Sequence, residues 1–151
     1  KGETIMKEIE FRAWHKKNKK LDKVNGIDFN NKYIFCQGED NIYSDAFSFD
    51  EVIIEQYTGL KDKNGKKIYE GDIVSFNYRC CKECPTETYR AIIEFGNPNG
   101  VYNWGFEMKF IGKVKPSNTD ILLWIEMPDV ECVVIGNIHE NPELLGKEVA
   151  K

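Results

Sequence analysis

The sequence has few histidines and no long apolar run. Only two histidines, His15 and His139, occur among 151 residues. The longest apolar runs, Ile121 to Ile125 and Cys132 to Ile135, are far shorter than the roughly 20 residues that a membrane-spanning helix needs. The sequence also lacks a phosphate-binding glycine loop and a nucleophile elbow. These absences argue against a membrane protein and against the common nucleotide-binding and serine-hydrolase classes.

The remaining acid and histidine motifs do not form a catalytic set. His139 and Glu140 begin like the helix of a zinc protease, but no second histidine follows at the required spacing and Pro142 interrupts the helix. Glu70 and Asp72 flank Gly71, where a turn explains them better than paired acid catalysis does. The sequence therefore predicts no catalytic residues.

Charge is distributed unevenly along a chain whose net charge is −4. Residues 1–67 hold 13 basic and 12 acidic residues, a net of +1, and residues 68–151 hold 8 and 13, a net of −5. Lysines cluster at two predicted turns, around residues 16–20 and 61–67. We interpret both clusters as solvated loops, because no aromatic side chains are interleaved with them. The alternative is a nucleic-acid surface formed by Lys63, Lys66 and Lys67, which the acidic second half disfavours.

Five cysteines are present, and three of them, Cys80, Cys81 and Cys84, lie close together. An odd, clustered set is not the pattern of a secreted disulfide scaffold, so we expect reduced thiols and a cytoplasmic location. Cys81 and Cys84 have the spacing of a zinc half-site, but structural zinc needs four ligands. Cys80, Cys36, Cys132 or His139 would have to complete it. Reduced cysteines in a loop are therefore the preferred interpretation, and a zinc site and a redox-active pair are the alternatives.

The first residues do not have the pattern of a secretory signal. Lys1, Gly2, Glu3 and Thr4 are not followed by an apolar segment. Residues 1–5 are interpreted as an extension ahead of a start at Met6. This pattern agrees with the expected bacterial cytoplasm.

Most of the chain reads as short strands rich in β-branched and aromatic residues. We predict strands at Glu8–Trp14, Leu21–Val24, Ile27–Phe29, Tyr33–Cys36, Val52–Tyr57, Ile73–Tyr78, Thr88–Phe95, Val101–Phe110 and Glu131–Ile138. Ile121–Ile125 fits either a short strand or one helical turn.

Local signals mark the turns between these strands. Asn64-Gly65 predicts a type I′ hairpin turn, and Glu70-Gly71-Asp72 predicts a second turn. Ser48 and Glu51 have the spacing of a capping box, but the β-branched residues that follow favour a strand over a helix. Asn141 to Gly146 predicts a single helical turn, capped by Asn141, with Pro142 at its first position.

The predicted fold class is α+β, mostly β. Residues 6–57 form a small β-rich or mixed N-terminal unit that packs on a C-terminal SH3-like barrel, residues 58–146. Within the barrel, Tyr102, Trp104, Phe106 and Met108 share one strand face. Core burial is the preferred interpretation of this face, and a protein-binding or stacking surface of Tyr102, Trp104 and Phe106 is the alternative.

Three sequence blocks resemble the YopX family in order and spacing. They are residues 7–14, KEIEFRAW; residues 56–65 with 68–74, QYTGLKDKNG and IYEGDIV; and residues 134–144, VIGNIHENPEL. The resemblance covers residues 6–145. It implies a mostly β fold with a barrel-like C-terminal part, an origin in phages or prophages, and self-assembly. It supplies no catalytic residues, and the segment 80–88 corresponds to a variable region of the family.

The expected function is therefore that of a non-enzymatic, phage-encoded accessory protein that works by binding. A protein partner or further copies of the chain are the expected ligands, with no cofactor and no membrane. A nucleic-acid binder and a small zinc protein or enzyme at the cysteine cluster are the two alternatives.

Overall fold

Antiparallel strands make up most of the described chain. The computed structural model describes residues 8–38, 44–79, 82–96, 105–112, 124–125, 127 and 130–146. The strands are β1 (Phe11–His15), β2 (Lys20–Asp28), β3 (Tyr33–Gln37), β4 (Ser44–Ser48), β5 (Val52–Lys61), β6 (Lys67–Tyr69), β7 (Asp72–Tyr78), β8 (Glu87–Gly96), β9 (Gly105–Ile111) and β10 (Val133–Asn137). A 3-10 turn, Pro142–Leu145, follows β10. The prediction of a mostly β protein is confirmed.

These strands form two sheets. One has the order β4-β3-β2-β1-β5-β6 and the other has the order β10-β7-β8-β9. The chain divides into two compact units, Lys1–Gly59 and Leu60–Lys151, next to the boundary predicted between residues 57 and 58. Among the described residues, the strands of the second unit do not close into a barrel.

A cluster of buried apolar residues lies on one face of the first unit's sheet, and Trp14 and Glu55 of the opposite face are buried as well. Strand alternation places Ala13, Ile34, Cys36 and Val52 in the cluster, where they are buried. Partly buried apolar residues of β2, β4 and β5 pack around them. The neighbouring residues of β3, Tyr33 and Phe35, must therefore point to the opposite face.

The second unit has a larger, aromatic core. Phe76, Phe110 and Trp124 are buried together, and the rings of Phe76 and Trp124 lie 4.9 Å apart. Ile68 of β6 and Cys132, just before β10, belong to the same cluster. Trp124 and Ile125 are helical, so the end of the ambiguous segment Ile121–Ile125 is not a strand.

Two turn predictions are wrong in detail. Asn25-Gly26 does not separate two strands, because β2 runs through it with a register shift between Val24 and Gly26, a β-bulge. In the loop after β5, only Gly65 of the Asn64-Gly65 pair has a positive φ, 81°. A type I′ turn needs positive φ at both residues, so the loop is a three-residue hairpin loop with a left-handed glycine.

Two sequence patterns typical of helix N-termini have other roles in this structure. The Glu51 carboxylate accepts hydrogen bonds from the Ser48 backbone N–H at 2.8 Å and from its hydroxyl at 3.0 Å. These bonds close the turn between β4 and β5, and no helix follows. Pro142 does begin a helical turn, but the Asn141 side chain does not cap it. Its Oδ1 accepts a hydrogen bond from the Asn137 backbone N–H instead, at 3.3 Å.

Candidate interaction surface

The buried carboxylate of Asp62 serves the hairpin loop after β5. Asp62 is 6% exposed. Its Oδ1 accepts hydrogen bonds from the backbone N–H groups of Asn64 and Lys66, at 2.8 and 2.9 Å. Its Oδ2 accepts a third from the Val134 N–H at 3.0 Å, and the Lys63 N–H donates to the Cys132 carbonyl at 3.1 Å. Asp62 therefore shapes the loop and fastens it along β10.

Other buried polar groups have similar structural partners. Arg12 Nε lies 2.6 Å from Glu55 Oε2, an ion pair between directly paired residues of β1 and β5. Asp72 Oδ2 accepts a hydrogen bond from the Tyr69 N–H at 2.8 Å. Asn137 Oδ1 accepts hydrogen bonds from the N–H groups of His139 and Glu140, both at 2.9 Å. Asp72 and Asn137 therefore satisfy turn backbone, and Arg12 and Glu55 satisfy each other.

His15 is the most unusual polar side chain that the structure describes. It is 3% exposed, and its ring packs edge-on against Phe47 at 4.2 Å. Its Nε2 lies 3.1 Å from Asp22 Oδ2 but makes no hydrogen bond. Burial raises the pKa of the neighbouring Cys36 thiol to about 11, with Asp22 and Asp45 adding to the effect. A closed pocket with a neutral thiol is poorly suited to nucleophilic catalysis, which needs an accessible thiolate.

Two aromatic side chains are exposed on the outer face of β3. Tyr33 is 45% exposed and Phe35 is 37% exposed, opposite the core face that holds Ile34 and Cys36. Phe35 has Gly26 of β2 on one side and Ala46 of β4 on the other. Both neighbours are small, and the Phe35 ring lies over Gly26, where an added Cβ would stand 3.6 Å from its Cδ2. We call Tyr33 and Phe35 the outer aromatic pair.

The outer aromatic pair lies next to a sheet edge. β4 is the last strand on this side of the first sheet, and within the described residues it pairs only with β3. Ser44, Asp45 and Ala46 are exposed. An edge strand offers unpaired backbone N–H and C=O groups. Glu51 already bonds the N–H and C=O of Ser48 at one end of β4, so open backbone next to the aromatic side chains is confined to the part of the strand around Ser44 and Ala46.

The predicted site residues are distributed over different places. Phe106 packs against the second core and meets the exposed Phe95 ring at 5.1 Å, while Met108 on the same face is fully buried. This arrangement agrees with the core interpretation for the described part of that face. Tyr102 and Trp104 lie outside the described residues, so the binding surface that includes them stays a prediction.

The predicted lysine surface lies on the loop after β5. Lys63 Nζ lies 2.5 Å from Glu131 Oε2, so one of the three lysines in the predicted surface already has an acidic neighbour. Lys66 is exposed and Lys67 is partly buried. Nothing in this geometry tests nucleic-acid binding, which stays a prediction.

Of the predicted zinc pair, Cys81 lies outside the described residues. Cys84 is disulfide-bonded, so the prediction of reduced thiols is wrong for this residue. A sulfur in a disulfide is not a thiolate and cannot ligate zinc, so metal binding here would require prior reduction. Among the described residues, no group of three or more His, Cys, Asp or Glu side chains is placed to hold a metal ion.

β4 was not among the strands predicted from the sequence, so the outer aromatic pair was not predicted either. The sequence did contain one indication of the pair. In the predicted strand Tyr33-Ile34-Phe35-Cys36, the residues on both faces are apolar. Such a strand is either buried on both sides or exposes one apolar face. Only the sheet order shows that β3 stands next to an edge.

Comparison with known proteins places the chain among relatives of similar length. The crystal structure of protein EF1440 from Enterococcus faecalis superposes with a TM-score of 0.55 at 28% sequence identity. The match covers 93% of this chain and 99% of that one. No curated protein matches the sequence. No helix in the described part of the chain is long and apolar enough to cross a membrane.

The sequence profile described as YopX protein matches residues 10–146. This range includes all ten strands, the Asp62 loop and the outer aromatic pair. The chain belongs to the YopX family.

Proposed function

We propose that the protein is a non-enzymatic binding module that recognises a protein partner through the outer face of β3 and the adjoining β4 edge. The main observation behind this proposal is that the outer aromatic pair is exposed and that Phe35 lies between the small residues Gly26 and Ala46. Tyrosine and phenylalanine supply large contact areas at little cost in conformational entropy, and aromatic residues are enriched at protein interfaces.

The placement of the polar groups supports binding over catalysis. Catalysis by general acids and bases needs titratable groups within reach of a substrate. The buried acids Asp62 and Asp72 accept backbone hydrogen bonds, and Glu55 is paired with Arg12. His15 is closed off in the first core. These partners give the buried polar groups structural roles within their own units.

The proposal includes an SH3-like barrel for residues 58–146, as a rigid support. Hydrogen bonds between the loop after β5 and the segment around β10 favour such a barrel. Ile68 of β6 also shares the core of the β10-β7-β8-β9 sheet. The phage origin, the self-assembly and the bacterial cytoplasm expected above belong to the same proposal.

The test compares partner capture by the wild-type protein and by a double variant, Tyr33→Thr and Phe35→Thr. Threonine keeps strand propensity while it removes both rings. Phe95→Thr is the matched control, since Phe95 is 53% exposed but lies on β8 of the other sheet. Captured proteins are identified by mass spectrometry, and affinity for each is then measured by titration.

We expect the double variant to weaken binding at least tenfold, about 1.4 kcal/mol, and the control to leave it unchanged. Binding should persist at high salt, because the contact is mainly apolar. Equal capture by the double variant would contradict the proposal. Capture of nucleic acid that is lost steeply with salt, and on substitution of Lys63, Lys66 and Lys67, would support the alternative instead.

A further inference from the structure

The backbone at the free edge of β4 is open over only part of the strand. The Ser48 N–H donates to the Glu51 carboxylate at 2.8 Å, and the Ser48 carbonyl accepts from the Glu51 N–H at 3.0 Å, so both groups of Ser48 point away from β3. Backbone groups alternate between the two sides of an antiparallel strand, so those of Ser44 and Ala46 point to the same edge. Among the described residues, nothing bonds these four backbone groups. The edge therefore has room for a short extended segment at Ser44 and Ala46.

The sequence around this open end is acidic. Residues 33–51, from β3 to the turn before β5, contain five acidic side chains and no lysine or arginine. Two of these acids, Glu39 and Asp40, belong to the connection between β3 and β4 and lie outside the described residues. Asp45 is in β4 itself and is exposed. The chain that leads into the open end of β4 is therefore negatively charged.

Lysines accompany the acids at one end of β4 but not at the other. In the turn after β4, the Lys16 ammonium group donates to the Asp50 carbonyl at 2.7 Å, and Lys17 lies close enough to attract the Glu51 carboxylate. Among the described residues, the Asp45 carboxylate has no hydrogen bond and no ion pair. A cation supplied by a partner therefore finds an unpaired carboxylate beside the open backbone.

The two faces of the sheet differ at this edge. A strand added to β4 presents alternate side chains to the two faces. On the outer face, its side chain next to Ala46 can reach over that small residue toward Phe35, which pairs with Ala46. On the core-side face, its side chain next to Asp45 meets the carboxylate, and cross-strand pairs of opposite charge are stabilising. The edge therefore fits a segment in which basic and apolar residues alternate.

We infer that the open edge of β4 pairs antiparallel with a short segment of a partner protein in which lysine or arginine alternates with apolar residues. The inference rests on the proposed function and specifies the chemistry of its partner. Main-chain hydrogen bonds at Ser44 and Ala46 hold the segment, and its alternate side chains meet Asp45 and the outer aromatic pair. Charge complementarity sets the preference among segments more than the affinity, so binding persists at high salt.

Fluorescence titration of the full chain with two short synthetic peptides tests the charge preference. One peptide alternates lysine with valine, and the other alternates glutamate with valine. At physiological ionic strength, we expect the lysine peptide to bind about tenfold more tightly, and Asp45→Lys to reverse this preference. Asp50→Lys is the matched control and should leave the preference unchanged, since Asp50 is also exposed but lies beyond Ser48, where Glu51 closes the edge.

Methylation of the peptide backbone tests strand pairing without any change in the protein. In an antiparallel pair, the residues that exchange hydrogen bonds with Ser44 and Ala46 lie directly opposite them and share their outer face. These residues are the valines of the lysine peptide. We therefore expect N-methylation of the valines to abolish binding and N-methylation of the lysines to preserve it.

The failures of the two proposals are distinguishable. Equal affinity for the lysine and glutamate peptides, no binding of either, or a preference that Asp45→Lys leaves unchanged overturns the inference about the charge of the partner. N-methylated valines that still allow binding overturn the antiparallel pairing. The proposed function stands in each case if the Tyr33→Thr and Phe35→Thr variant still loses a captured partner. It fails if that variant captures the partner as well as the wild-type protein does.

Discussion

Replacement of Asp62 by alanine should destabilise the second unit more than any single surface substitution. The change removes one carboxylate that accepts three backbone N–H hydrogen bonds, from Asn64, Lys66 and Val134. Hydrogen bonds to charged groups contribute about 1.5–3 kcal/mol each, and unpaired buried donors cost about 1–3 kcal/mol. Asn64 and Lys66 are exposed, so water replaces part of two bonds.

We therefore expect the free energy of unfolding to fall by about 2–4 kcal/mol in Asp62→Ala. For a chain of this size that corresponds to a decrease of about 5–15 °C in Tm. Urea denaturation measures the free energy of unfolding and thermal denaturation measures Tm, each followed by circular dichroism. Asp62→Asn should be intermediate, because one oxygen remains while the amide nitrogen faces an N–H donor.

A matched control and an exchange measurement make this prediction specific. Asp50→Ala removes an exposed carboxylate that accepts no hydrogen bond among the described residues, and should change stability by less than about 0.5 kcal/mol. In Asp62→Ala, amide exchange should accelerate most at Val134. A loss below about 1 kcal/mol, or unchanged exchange at Val134, would refute the role given to Asp62.

Two further substitutions test the packing of the second unit. Gly136→Ala should cost about 1–3 kcal/mol, because a Cβ there would clash with the Asn141 side chain, and Asn141→Ala should relieve part of that cost in a double-mutant cycle. Burial raises the pKa of Cys132 from 9.0 to about 12. Between pH 9 and 11 only the unfolded chain loses this proton, so stability should fall by about 1.4 kcal/mol per pH unit for this thiol. Cys132→Ala should remove that part of the slope in urea denaturation at each pH, and an identical slope in both proteins would contradict the assignment.

Strand existence was predictable from the sequence where β-branched and aromatic residues alternate. β1, β3, β7 and β8 begin and end close to the predicted residues, because alternation directly reflects a sheet with one buried face. β4 was missed because Ser44-Asp45-Ala46-Phe47-Ser48 has low strand propensity and little apolar character. Pairing with β3, a tertiary effect, holds it in the sheet.

Turn type was less predictable, because the same residues satisfy different geometries. The Glu51 carboxylate accepts from the Ser48 N–H as in a capping box, but the Ser48 hydroxyl also donates to that carboxylate and the Glu51 N–H donates to the Ser48 carbonyl. The result is a turn, since the β-branched residues that follow favour β5. Asn64 keeps a negative φ because Asp62 already holds its N–H and that of Lys66.

The candidate site was the least predictable part. Its importance depends on which strand stands at the edge of the sheet, and on which face of β3 is covered. Strand order is a long-range property, and no local pattern in Tyr33 to Ser48 specifies it.

Amide hydrogen exchange with and without a captured partner tests the central claim most directly, since the claim is that the outer aromatic pair and the adjoining β4 edge bind a protein. We expect exchange in β3 and β4 to slow when the partner is added to the wild-type protein, and exchange in β9 to stay constant. The Tyr33→Thr and Phe35→Thr variant should show no slowing. Exchange in β3 and β4 that the partner leaves unchanged, or that slows equally in the variant, would contradict the account.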